Sequence, residues 1–154
     1  MTALLLSVHV LAAVIAVGPV AVAGSMFPPA AHAGSAAPLA GPVADVRTLH
    51  RICRTYAAVG LAVPVFGLAT GAALGVLGDV WVLASVALTV GAAGVLVAGI
   101  LPLQRRLLPE RAVDDADPAA AARHLSLLTG IFNLLWAVVV VLMIVRPGST
   151  TRVS

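Results

Sequence analysis

The chain has 154 residues, 61% of them hydrophobic and 10% charged, with a mean hydropathy of +1.10. A soluble domain carries about a quarter charged residues, so water is excluded as the solvent for most of this surface. The net charge of +3 comes from nine arginines and no lysine against six acids, and the arginines flank apolar runs, as topology signals do, rather than forming a nucleic-acid interface.

A membrane span needs about 20 apolar residues, and four such runs follow one another. The composition therefore predicts an all-α polytopic membrane protein, a bundle of four transmembrane helices forming one domain over residues 1–154. Span 1 runs from about Ala3 to about Ser25, and Pro28-Pro29 is expected to stop it. Ala21-Val22-Ala23 fits a signal-peptidase site. Against cleavage, no basic residue precedes the apolar run, and the run exceeds the usual 7–15 or so residues of a signal core.

Residues 26–54 are expected to form a loop rich in Pro, Gly, Ala and Ser. Asp45 should start a short helical lead-in in which Arg47, Arg51 and Arg54 recur at helical spacing beside lipid phosphates. Span 2 covers about Thr55 to Leu77, and Gly78-Asp79 makes so short a turn that spans 2 and 3 form an antiparallel hairpin. Span 3 covers about Val80 to Leu101. It opens on the interfacial Trp81 and closes at Pro102 and the Arg105-Arg106 pair.

Residues 102–123 form the second loop, with Asp114 and Asp115 solvated and Asp117-Pro118 as N-cap and first helical position. Span 4 covers about His124 to Val145, stopped by Arg146-Pro147-Gly148. Seven arginines (47, 51, 54, 105, 106, 111 and 123) lie in the two long loops and two, Arg146 and Arg152, on the other side. The positive-inside rule then places both loops in the cytoplasm and both termini outside.

Small residues mark where helices in lipid approach closely. Gly67, Gly71 and Gly75 make a ridge on span 2, answered by Ala87, Gly91, Gly94 and Ala98 on span 3. Spans 2 and 3 are therefore expected at the tight centre, with much of the Leu- and Val-rich span 4 facing lipid. Pro64 should kink span 2, and Pro19 should bend span 1.

Few residues carry chemistry. His9 is an ionisable group inside a span, which suggests function by default. At 1.5 Å per residue it lies roughly 9 Å from the outer end of its helix, level with Thr70 at roughly 10 Å and Ser85 at roughly 8 Å. With Trp136 a turn deeper, these form an expected polar layer whose titratable member is His9. Its plain reading is a neutral imidazole bonded to a neighbouring helix; its sharper one is a haem or metal ligand. His50 and His124 start spans 2 and 4 at the opposite interface, too far from His9 to share a cofactor with it. They are candidates only for a cofactor clasped between themselves. His32 belongs to a loop. Asn133 is a candidate for holding helices together. Cys53, the lone cysteine, excludes an internal disulfide and reads as small apolar filler near a helix start.

The opening LLLSVHVLAAVIAVGPVAVAGSMFPP and the later RTLHRICRTYAAVGLAVPVFGLATG resemble the DUF2269-like family of four-span bacterial membrane proteins. That resemblance implies the architecture and brings no activity with it. More distantly, the first-span histidine is similar to that of the HemJ-type protoporphyrinogen oxidases and the CopD-type copper-resistance proteins. The HemJ likeness implies haem b ligation through His9. That family also uses a lysine in a later span, and this chain has none.

Three functions follow. One is a non-catalytic accessory protein that binds another membrane protein or a second copy of itself. Another is a haem-binding redox or carrier protein with His9 as axial ligand. The last is a small dimeric transporter coupling protons through His9. Abundant Ala, Gly and Arg without Lys point to a high-GC bacterial genome and hence the plasma membrane.

Overall fold

The computed structural model describes residues 2–36, 45–112 and 117–148. Every regular element among them is helical: α1 Thr2–Ala36, α2 Val46–Val59, α3 Ala62–Leu74, α4 Val80–Gly94, a π-helical segment Val95–Ile100, α5 Leu101–Arg106, α6 Pro109–Ala112 and α7 Pro118–Val145. Four apolar helical spans are long enough to cross a bilayer, over Thr2–Ala31, Val46–Leu74, Val80–Arg106 and Pro118–Val145. The protein is an all-α integral membrane bundle. Only 17% of each span's apolar window is buried within it, so most of the apolar surface needs lipid or another protein against it.

Span 1 does not stop at the proline pair. Helix α1 passes through Pro19, Pro28 and Pro29 to Ala36, and residues 26–36 leave the expected loop. A helix-interior proline removes one N–H and usually breaks a helix in water, but packing can hold it in membranes. Here Phe27 and Ala30 are buried with Leu49 and Cys53 of α2, which anchors the turns around the prolines.

Span 2 is interrupted where a kink is expected, although the break precedes Pro64. Helix α2 ends at Val59, the Gly60 N–H bonds Tyr56 O at 2.8 Å, and α3 restarts at Ala62. Span 3 continues through Pro102 instead of closing there. The π turn ahead of that proline sets the Leu101 N–H on Leu96 O, five residues back. That register shift accommodates the missing donor.

Caps match the sequence at two helix starts. The Asp45 carboxylate accepts from Arg47 N at 3.1 Å and that of Asp117 from Ala120 N at 2.8 Å, each satisfying an otherwise orphaned N–H. The segments holding Asp114 and Asp115, residues 37–44 and the tail with Arg152 lie outside the described residues, as does the His32 side chain.

The expected centre is wrong. Helix α1 packs against α2, α3 and α7, whereas α3 and α4 scarcely meet. Span 1 is therefore the hub. The glycine ridge divides accordingly: Gly67 faces His9 of α1, Gly71 faces Leu77, and Gly75, at φ +69°, is the left-handed C-cap of α3 rather than a packing residue. Gly91 and Gly94 have open space where a Cβ would stand. Much of span 4 faces outward as expected, with Leu127, Leu134, Val140, Val141 and Ile144 exposed, while Leu125, Thr129, Phe132 and Val139 line its buried side.

Candidate functional site

His9 lies seven residues into α1, about 10 Å along its axis, and is only 7% exposed. Its Nδ1 is 2.9 Å from the Val63 carbonyl oxygen. A carbonyl only accepts, so Nδ1 carries the hydrogen and donates it; in a neutral ring the lone pair is then on Nε2. Val63 precedes Pro64 in the first turn of α3, just after the break in span 2. One turn further on, Gly67 makes room for the ring: a Cβ there would stand 2.8 Å from His9 Cε1. Helix break, proline and glycine together form a seat for one imidazole.

Two further members of the expected polar layer, Thr70 and Ser85, bond within their own helices. Thr70 donates to Phe66 O at 2.7 Å and Ser85 to Trp81 O at 2.8 Å. Trp136 Nε1 is buried without a partner. Among the described residues no hydrogen bond joins His9 to any of the three.

A second buried polar cluster lies at the arginine-rich end. Helix α2 is strongly amphipathic: Arg47, Arg51 and Arg54 are exposed on one face, while Leu49, His50 and Cys53 are buried on the other. Gln104 of α5, fully buried, joins the last two. His50 Nδ1–H donates to Gln104 Oε1 at 3.1 Å, and Gln104 Nε2 donates to Cys53 Sγ at 3.4 Å. Gln104 is not conspicuous in the sequence, where a glutamine beside Arg105-Arg106 looks interfacial. Its spacing from Ile100, one helical turn earlier and 1% exposed, was the available signal. Cys53 is fully buried, as apolar filler would be, but it also accepts a bond. His124 is exposed on α7 and takes no part in this cluster. Among the described residues no three His, Cys, Asp or Glu side chains gather as a metal site.

Helix α7 carries a third set at one-turn spacing. Thr129 Oγ1, Asn133 Oδ1 and Trp136 Nε1 are buried without partners. Asn133 Nδ2 reaches Ser25 Oγ of α1 at 3.4 Å, and Thr129 stands against Gly24, where a Cβ would be 3.3 Å from its methyl group. Asn133 thus links spans 1 and 4.

The two ends of the bundle differ. Where α4 begins and α7 ends, Trp81 donates its indole N–H to Asp79 at 3.0 Å, and the Arg146 guanidinium lies 5.5 Å from the centroid of its ring. At the other end Arg47 pairs with Glu110 at 3.0 Å. A backbone hydrogen bond, followed by the Arg47 and Arg111 charges, holds the Glu110 carboxyl below its usual value. Around that pair an open cavity of about 330 Å³ is lined by Arg47, His50, Arg51, Arg54, Leu108 and Glu110.

Compared with known protein families, curated proteins and solved structures, the chain finds no match.

Proposed function

We propose that this integral membrane protein is non-catalytic, an accessory subunit of a bacterial plasma membrane that binds another membrane protein or a second copy of itself. Its arginine-rich end faces the cytoplasm and both termini face out. The observation that carries this reading is the seat of His9, whose ring N–H is spent on the Val63 carbonyl, as an interhelical tie would spend it. His50 and Cys53 are likewise bonded to Gln104. The test is a reduced-minus-oxidised absorption spectrum of the detergent-purified protein, together with metal analysis. A featureless visible spectrum without stoichiometric metal supports the reading; a Soret band that His9→Ala removes overturns it.

A second reading is favoured by the same bond. Ligating histidines donate their other ring N–H to a carbonyl or carboxylate, and here the Nε2 lone pair is left over in that way. One axial imidazole is enough for haem iron, and His9 would be the residue to supply it. The fit is confined to that single donor: the Cε1 edge of the ring is pressed against Gly67, so a macrocycle on Nε2 has to clear the backbone of span 2. Haem would bring one-electron redox chemistry, while the chain's own part would be to fix the tautomer through Val63. The spectrum separates the two readings.

A further inference from the structure

Span 2 is longer than a bilayer requires. Its 29 residues, Val46–Leu74, rise about 43 Å, roughly 13 Å more than a hydrocarbon core of about 30 Å. The excess matches the first nine residues, Val46 to Arg54, which carry the three arginines on one face. Those turns belong among headgroups, and they form one wall of the 330 Å³ cavity with Leu108 and Glu110 opposite. At about 30 Å³ per water molecule that volume holds roughly ten waters, enough for a solvated phosphate group.

The charges in this cavity are unbalanced. Three guanidinium groups face one carboxylate, and Glu110 is taken by Arg47. Among the described residues Arg51 and Arg54 have neither an ion-pair nor a hydrogen-bond partner. Their forks match phosphate oxygens bidentately, and the length of span 2 beyond a hydrocarbon core of about 30 Å puts them at headgroup level. We propose that this cleft between α2 and residues 108–110 binds the phosphodiester of an anionic lipid headgroup, gripped by Arg51 and Arg54. Arg47 is held at the rim by Glu110, and His50 forms part of the wall. The site is independent of His9 and of the accessory-subunit reading.

The test uses the full chain in neutral-detergent micelles, titrated with dihexanoyl phosphatidylglycerol and read by native mass spectrometry. Dihexanoyl phosphatidylcholine and inorganic phosphate are the comparison arms. Two arginines at a membrane surface account for a preference of at least about tenfold for the anionic lipid over the zwitterionic one. Arg51→Gln/Arg54→Gln should abolish that preference, and the single Arg54→Gln should reduce it. Arg105→Gln/Arg106→Gln, at the same end but outside the cleft, should leave it intact. Equal affinity for the two lipids overturns the proposal, as does equal loss in the two double variants, which would mean diffuse charge. Inorganic phosphate binding as tightly as phosphatidylglycerol also overturns it, because the ligand would then be soluble.

Discussion

His9 and His50 are both buried imidazoles that donate from Nδ1 across a helix interface, yet their surroundings have little in common. His9 meets a backbone carbonyl, a partner that any sequence supplies, and its specificity comes from Gly67 leaving room for the ring. His50 meets a side chain, Gln104, which in turn is bonded to Cys53. In the first case the glycine is the residue that cannot change; in the second it is the glutamine. A buried histidine in a membrane bundle is thus held either by shape or by chemistry, and the two fail differently.

The largest effect is expected at Gln104. Gln104→Ala leaves the His50 N–H without its acceptor, the Cys53 sulfur without its donor, and a cavity in the core, for a loss of about 2–4 kcal/mol. Unfolding in mixed micelles by SDS titration measures it. A loss comparable to that of an exposed-site control would show that the chain of bonds contributes nothing.

Gly67→Ala comes next. The added methyl displaces the His9 ring and its bond to Val63, with an expected cost of about 1–3 kcal/mol. His9→Ala alone should cost about 0.6–1.7 kcal/mol, the range for side-chain hydrogen bonds between membrane helices. In the His9→Ala background Gly67→Ala should be close to neutral, since the ring it collides with is gone. Additive losses would mean that Gly67 packs on something else.

The smallest effect belongs to the Arg47–Glu110 pair. The carboxyl of Glu110 is held below its usual value, so what it contributes is present above the unfolded-state pKa and is lost as pH falls through the lowered folded one. Both side chains are more than half exposed, so solvent screens the pair. Glu110→Gln should leave the unfolding midpoint unmoved at neutral pH, and acidification should release Arg47 without unfolding the bundle. An NMR titration following Glu110 and the Arg47 side chain checks both points.

The four spans were legible because twenty apolar residues in a row admit one solvent, and the Asp45 and Asp117 caps were legible because capping is local. The continuation of α1 through Pro28 and Pro29 was not. Local chemistry says stop, and only the burial of Phe27 and Ala30 against α2 says continue. The glycines announced close approach without naming the partner: Gly67 of span 2 is expected to meet span 3, whereas His9 of span 1 occupies its notch. His9 stood out as a lone ionisable group in an apolar run. Gln104 did not, because its neighbours are arginines, and a one-dimensional reading weighs neighbours in sequence above the helical turn that carries it inward beside Ile100. The small-residue stripe of span 3 misled for a related reason: in a chain this rich in Ala and Gly, such spacing arises without a packing role, and Gly91 and Gly94 face open space.

His9 ties spans 1 and 2 together, and the protonation of its two ring nitrogens reports on that tie directly. Nitrogen-15 NMR of histidine-labelled protein in lipid, assigned by loss of signal in His9→Ala, reads the tautomer. The expected result is a neutral ring protonated at Nδ1 and bare at Nε2. A ring protonated at Nε2 alone would contradict it, because nothing would then be left to donate to the Val63 carbonyl.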